Sequence, residues 1–559
     1  MQLSPSAHVD TFCRDNLPPD EQWPEFLFDL PEVQYPQQLN CAVELLDSMV
    51  EQLGGERRCL LTPDGSVWTY ADVLHTANQI ANLLVAEYGI VPGNRIMLRG
   101  PNNPWLVACW FAVLKAGAVV IPTMPLLRPG ELAVMGEIGQ FDLALCDHRF
   151  VDDLRAAQVP NLRIVEYSGT GEADLAARVA DQPTTFDNVP TAADDVCTLA
   201  FTSGTTGRPK ATMHFHRDVL ANADTFSRYV LKPRPDDLFT GTPPLAFTFG
   251  LGGLVVFPMR VGAATLLVER ATPDQLADLI AEHQVTVCFT APTAYRAMIA
   301  GGRGEALASV RRAVSAGEHL PVDTWQRFEQ ATGTKIIDGI GSTEMLHIFI
   351  SASDDDIRPG ATGTAVPGYQ ACIVDDDGHP VPDGTVGRLA VKGPTGCRYL
   401  ADDRQTTYSQ GGWNITGDTF SRDSDGYFWY QARSDDMIIS SGYNVAAPEV
   451  ESALMGHLAV HEAAVVSVPD EDRGALIKAF VVLTDEAAQQ AAASDEAEVG
   501  LITELQDFVK SQIAPYKYPR LIEFIDALPR TSTGKVQRFR LRPDAPHQSG
   551  GQHVGSVTA

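Results

Sequence analysis

Helical and strand patterns alternate along most of this chain up to about residue 400, and few architectures accept that alternation. In "ATPDQLADLIAEHQVTVCFTAPTAYRAMIA", Thr272 and Gln275 have the spacing of a capping box around Pro273 at the first helical position. The helix gives way to a strand over Val285 to Phe289, and the next helix begins after Pro292. The apolar stretch "PWLVACWFAVLKAGAVVIP" is divided by Lys115, Gly117 and Pro122, and reads as a buried helix followed by a buried strand, not a membrane span. Repeated units of this kind imply an α/β protein with parallel sheets covered on both faces, and ligands near the carboxyl ends of the strands. At 559 residues the chain exceeds what one core supports, so several subdomains are expected.

A formal charge of −29 argues against a nucleic-acid partner, while leaving room for a local basic pocket. Nine scattered cysteines without a CxxC pair resemble neither a disulfide framework nor a zinc site, and fit a reducing cytoplasm. The N-terminus "MQLSPSAHVDTFCRDNLPPDEQWPEF" lacks a basic start followed by an apolar core, so no secretory signal is expected.

The loops after strands carry the chemistry. "AFTSGTTGRPKATMHFH" follows the apolar run Val196 to Phe201. Ser203, Thr205 and Thr206 offer hydroxyl donors, Gly204 and Gly207 allow close backbone approach, and Lys210 adds a cation, a set suited to a polyphosphate. It is not a Walker loop, because Arg208 and Pro209 separate the second glycine from the lysine. In "GSTEM", Thr343 and Glu344 bring a hydroxyl and a hard carboxylate to a magnesium ion carrying phosphates. "GGWNITGD" ends in Asp418, whose carboxylate can accept from two ribose hydroxyls. "ARSDDMIISSGYNVAAPEVES" joins a charged cluster, a glycine turn and a helix near Pro448, and "LPRTSTGKVQRFRLR" places Lys535 in a basic segment. Singly, each has an ordinary reading as a polar turn, a helix start or a solvated tail.

In this order and spacing the clusters resemble the adenylate-forming superfamily of acyl- and aryl-CoA ligases, carrier-loading adenylation domains and beetle luciferase, over roughly residues 40 to 542. "TSGTTGRPK" looks like its phosphate loop, "GSTE" its magnesium and adenine segment, "TGD" its ribose segment, "RSDD" its hinge and "STGK" its catalytic-lysine loop. "ATMHFHRDVL", "TPPLAFTFGLGGLVVFP" and "GSTEMLHIF" look like the benzoate- and 2-aminobenzoate-CoA ligase branch.

The resemblance implies a large N-terminal domain of layered sheets and helices, 1–434, binding ATP and an aryl acid. A small mobile α+β domain, 435–545, follows and carries the catalytic lysine, and a tail, 546–559, is expected to be disordered. It implies two steps: a carboxylate attacks the ATP α-phosphate to give acyl-adenylate and pyrophosphate, then the thiol of CoA displaces AMP. Thr202, Ser203, Gly204, Thr205, Thr206, Gly207 and Lys210 would hold phosphates, with Thr343 and Glu344 at the Mg²⁺ and α-phosphate. Gly317, Glu318, His319, Asp338, Gly339 and Ser342 would line the adenine side, and Asp418 and Arg433 would meet ribose and phosphate. The small domain would turn about Asp435, delivering Lys535 for adenylation and then Ser441, Gly442 and Tyr443 beside the pantetheine of CoA. Phe247, Tyr295, Gly317, Gly341 and His347 would surround a small aromatic carboxylic acid, with His347 facing an ortho substituent. Three positions depart from common family patterns: Ile340 replaces a tyrosine against adenine, Phe247 a histidine and Ile439 a lysine.

Benzoate, 2-aminobenzoate and salicylate remain open as acids, and the enzyme as monomer or homodimer without membrane or nucleic-acid partners. Loading of a carrier protein in trans is the alternative, since only about two dozen residues follow Lys535. Nothing specifies the oxygen chemistry of a luciferase, and a binding module would not need the full ATP, magnesium and lysine set.

Overall fold

The computed structural model describes residues 3–202, 208–433, 437–440, 443–470, 474–513, 517–530 and 536–542. The chain divides into two compact units, one built from residues 1–372, 390–416 and 426–428, the other from 373–389, 417–425 and 429–559.

The strands of the first unit begin with β1 (Arg58–Leu61), β2 (Val67–Thr69), β3 (Arg95–Arg99), β4 (Val119–Thr123), β5 (Leu143–Asp147), β6 (Arg163–Tyr167), β7 (Val196–Thr202) and β8 (Lys210–Phe215). They continue with β9 (Leu238–Gly241), β10 (Ala264–Leu267), β11 (Val287–Thr290), β12 (Arg312–Ser315), β13 (Ile336–Gly341), β14 (Ile348–Ser351) and β15 (Thr364–Ala365). One six-stranded sheet has the order β6-β5-β3-β4-β7-β8, parallel except for the β7–β8 edge. A nine-stranded sheet has the order β15-β14-β13-β12-β11-β9-β10-β1-β2, with antiparallel pairing only toward its ends. The expected parallel α/β layering is therefore present.

Local chemistry explains the boundaries. Thr272 caps the helix Pro273–His283: its hydroxyl accepts from the Gln275 N–H at 3.3 Å, and its own N–H donates to Gln275 Oε1 at 2.9 Å. The following strand starts at Val287, two residues later than its apolar pattern suggests. Gln284 turns left-handed there, and the Val285 N–H closes the helix on the Ile280 carbonyl. The stretch from Pro104 forms a helix to Lys115 and then β4, as expected, with Asn103 capping the helix through the Leu106 N–H. Lys115 is wholly buried against Asp47, so the charge that divides the apolar run is paired, not exposed. Among the described residues no helix is long and apolar enough to cross a membrane.

Both sheets bury apolar side chains under helices. Met97, Val119, Leu199 and Phe215 pack with Leu132 and Met135 in one core, and Leu276, Ile280, Cys288, Tyr295 and Phe328 form another. The carboxyl ends of β12 and β13 lead into Gly317 and Ser342–Glu344 respectively, so these candidates emerge where parallel strands open; β7 ends at Thr202, just before the stretch 203–207 that lies outside the described residues.

In the second unit, strands Val460–Asp470 and Gly474–Leu483 pair antiparallel, and Leu521–Phe524 adds a parallel strand. Helices Ala447–Met455 and Asp495–Gln512 cover them, burying Val450, Leu454, Leu505 and Val509 against Val465 and Ile477. This is the small α+β element expected after Arg433.

Candidate active site

Lys210 opens β8 opposite Thr202, at the mouth of the β7–β8 hairpin. Its ammonium donates to the Tyr399 hydroxyl at 2.6 Å and lies 3.5 Å from Glu344 Oε1, while Tyr399 donates to the same Oε1 at 2.5 Å. The three form a charge-assisted chain around a nearly buried carboxylate. Burial and the Glu344 charge keep the Tyr399 phenol far above its ordinary pKa, so it remains a donor.

Tyr399 reaches the site because its strand-like segment is zipped to β8: the Met213 N–H donates to the Arg398 carbonyl and the Leu400 N–H to that of Ala211. Sequence reading missed it. No periodicity links it to Lys210, 189 residues away, and "CRYL" carries no motif of its own. Hydrogen bonds to charged groups contribute about 1.5–3 kcal/mol. Tyr399→Phe is therefore expected to slow adenylation about 10- to 100-fold with an unchanged circular dichroism spectrum, as read by pyrophosphate release.

The Ser342–Glu344 turn is held from several directions. Ser342 Oγ accepts from the Met345 N–H at 3.2 Å and lies 3.1 Å from the Tyr408 hydroxyl, and His214 Nε2 lies 2.8 Å from the Thr343 carbonyl. Thr202 Oγ1 is buried without a hydrogen-bond partner among the described residues.

Gly317, after β12, has φ +90°, a conformation that strains any L side chain. Burial pulls neighbouring His319 down to about 4, which leaves its ring uncharged at neutral pH. On β13, Gly339 lies against Ile348, and Asp338 faces a narrow hollow lined by Leu320, Trp325, Ala361 and Thr362. Asp338 Oδ1 has no hydrogen-bond partner among the described residues, and burial pushes the carboxyl up to about 8, opposed by the Gly339 backbone. A folded pKa above the unfolded value of about 3.9 means that stability falls as pH rises from there to about 8. Asp338→Asn removes this dependence. Its thermal midpoint should exceed the parent's most at pH 8–9, and the difference should shrink toward pH 4.

His347 lies behind Gly341 in an aromatic enclosure. Its ring centroid is 4.6 Å from Phe257, 5.3 Å from Phe226, 5.7 Å from Phe249 and 6.5 Å from Phe289. A Cβ at Gly341 would meet the His347 carbonyl at 2.5 Å, and one at Gly252 its ring at 2.4 Å. Burial pulls the imidazole down to about 3 against a smaller effect of the Phe249 backbone, and neither ring nitrogen has a hydrogen-bond partner at close geometry among the described residues. Phe247, partly exposed, precedes the short helix Thr248–Leu251. Tyr295 corrects the expected pocket: it is wholly buried under β11 and β12, its hydroxyl donating to the Cys288 and Val314 carbonyls and its ring packed on Phe328. Cys288, Val314 and Phe328 are all buried, so the tyrosine supports the sheet.

Asp418 is partly buried on the strand Trp413–Arg422, Arg433 ends the strand Phe428–Arg433, and Tyr443 pairs with Ser440 across a hairpin. Ser203, Gly204, Thr205, Thr206, Gly207, Asp435, Ser441, Gly442 and Lys535 lie outside the described residues.

A lysine and a nearly buried carboxylate thus meet near the ends of strands β8 and β13 in a layered α/β fold. Residues 47–399 match the family model of the AMP-binding enzyme, and 449–535 match that of the AMP-binding enzyme C-terminal domain. The chain belongs to the AMP-binding enzyme family. It is an AMP-forming acid–thiol ligase. A benzoate–CoA ligase of Thauera aromatica is 35% identical over 92% of this chain and 97% of its own. A 4-hydroxybenzoate–CoA/benzoate–CoA ligase of Rhodopseudomonas palustris is 34% identical, covering 90% and 94%. The crystal structure of the anthranilate CoA ligase AuaEII in complex with anthranoyl-AMP superposes with a TM-score of 0.85 at 35% identity, covering 92% of this chain and 98% of that one.

Proposed function

We propose that this protein is an ATP-dependent aromatic carboxylate–CoA ligase of the benzoate, 2-aminobenzoate or salicylate type. The observation that carries this reading is the enclosure of His347 by four phenylalanines, packed so closely that a side chain at 341 or 252 would strike the histidine, an apolar aromatic wall suited to a flat ring. Benzoate and anthranilate in the names of similar proteins support the same class. A carboxylate oxygen attacks the α-phosphorus and the bond to the β-phosphate breaks, releasing pyrophosphate. The CoA sulfur then attacks the acyl carbon, and AMP leaves.

In this reading the loop from Thr202 to Lys210 holds phosphate oxygens, and Gly317, Glu318, His319, Asp338, Gly339 and Ser342 enclose the adenine. Asp418 and Arg433 meet the ribose and phosphates. Glu344 offers one hard, nearly buried carboxylate beside Lys210, a donor set suited to a Mg²⁺ carried by ATP. When bound, such an ion neutralises phosphate charge. Phe247, Gly341 and His347 line the acid's pocket. Residues after Asp435 turn to bring first Lys535 and then the Ser441–Tyr443 segment to the site. Nine free cysteines, eight of them buried, support work in a reducing cytoplasm.

ATP–pyrophosphate exchange across a panel of acids tests the reading. Benzoate, 2-aminobenzoate or salicylate should drive exchange at least about tenfold faster than acetate or palmitate, since pocket discrimination of small groups spans ~10- to 200-fold. A preference for either aliphatic acid refutes the aromatic assignment.

A further inference from the structure

We propose that His214 is a positioning residue for adenylation: with Asp218 and Arg398 it fixes the Thr343 backbone, and hence Glu344, against β8. The inference rests on the ATP site proposed above and deepens it.

All three side chains are wholly buried. A carbonyl only accepts, so the 2.8 Å contact between His214 and Thr343 requires a proton on Nε2. The other ring nitrogen faces Asp218 Oδ2 at 3.8 Å. Asp218 accepts from Arg398 Nη1 at 2.7 Å and from the Phe215 N–H at 2.9 Å, which pins it at the start of the helix His216–Asn222. The Arg398 guanidinium in turn lies 3.9 Å from the centroid of the Phe215 ring. The anion and cation of this buried pair therefore balance: Asp218 sits on the helix that continues β8, and Arg398 on a separate segment bonded to β8 through the Met213 N–H.

The consequence lies in chain connectivity. Thr343 precedes Glu344, and Arg398 precedes Tyr399, whose hydroxyl donates to the Glu344 carboxylate. Glu344 is thus approached by two segments, each anchored one residue away on the same buried cluster. Lys210, the cation on Glu344, begins the strand that carries His214. A cluster so placed sets the separation of cation and carboxylate without touching the reactants, and misplacement by about 1 Å costs a reaction of this kind about 100-fold.

The test compares His214→Met, which removes the donor, with His214→Gln, whose amide nitrogen reaches nearly as far as Nε2. With benzoate as the acid, kcat and the ATP KM are measured from pyrophosphate release, alongside thermal midpoints and thioester formation from supplied benzoyl-AMP. His214→Met should lower kcat for pyrophosphate release about 10- to 100-fold with the ATP KM changed less than about threefold, and His214→Gln should recover to within about fivefold of the parent. If His214→Met does not fold, His214→Asn, polar but too short to reach Thr343, must show the same deficit. Equal activity of the Met and Gln variants, whether low or parental, overturns the proposal. Glu344→Gln separates the two levels of the argument: if it retains parental adenylation, the ATP-site reading fails, whereas its loss beside a parental His214→Met refutes the positioning role alone.

Discussion

Lys535→Ala is expected to reduce pyrophosphate release about 100- to 1,000-fold while sparing much of the CoA step when synthetic benzoyl-AMP is supplied. The family's C-terminal match runs to this lysine, and the proposed chemistry gives it unequal work in the two steps. Charge accumulates on the α-phosphate as pyrophosphate departs, and a compact ammonium bridging the carboxylate and that phosphate stabilises it. Thiol attack on a ready-made adenylate develops its charge on the acyl oxygen, away from the α-phosphate. The check is paired kinetics, pyrophosphate release from ATP and acid beside CoA-thioester formation from benzoyl-AMP. Equal losses in both would contradict the division.

Arg398→Met should produce the largest loss of stability. It leaves the Asp218 carboxylate buried without its cation, and breaking a buried pair in this way costs about 3–5 kcal/mol. Burial works to raise the Asp218 pKa, but Arg398, followed by His214 and Arg217, holds it well below the ordinary carboxylate value. Such a group contributes stability that is present above the unfolded pKa of about 3.9 and is lost as pH falls below it. In the variant the depression disappears and protonation relieves the stranded charge. The gap between parent and variant should therefore be widest near pH 7 and narrow toward pH 4. Urea unfolding across that range measures it; a variant within about 1 kcal/mol of the parent at pH 7 would contradict the assignment of Asp218 and Arg398 as a mutually dependent pair.

What could be read from sequence follows from distance along the chain. The capping box at Thr272, the helix–strand succession from Pro104 to Thr123 and the strand before the phosphate loop all depend on neighbours within a few residues, and each is found in the fold. Lys210 and Glu344 were legible as separate motifs, whereas their connection through Tyr399 was not, because a β-bridge between Thr212 and Tyr399 creates it. The His214–Asp218–Arg398 cluster was invisible for the same reason: "MHFHRD" reads as a strand end and a helix start, and its third member lies 180 residues from Asp218. Tyr295 shows the opposite failure. The family resemblance suggested a pocket wall there, but two core carbonyls take its hydroxyl, a competition that no local pattern reveals. At His347 the sequence supplied the histidine beside Gly341, while Phe226 and Phe289 arrive from distant segments.

The central claim, a ligase that couples ATP cleavage to thioester formation on a small aromatic acid, is tested most directly by competition. The enzyme receives ATP, Mg²⁺, CoA and an equimolar mixture of benzoate, 2-aminobenzoate, salicylate, acetate and palmitate, and the CoA thioesters are identified by mass spectrometry with AMP and pyrophosphate counted alongside. Competing substrates partition by kcat/KM. The account predicts that one of the three aromatic thioesters dominates, with AMP and pyrophosphate formed in equal amounts to it; a dominant acetyl- or palmitoyl-CoA, or pyrophosphate released without any thioester, would contradict it.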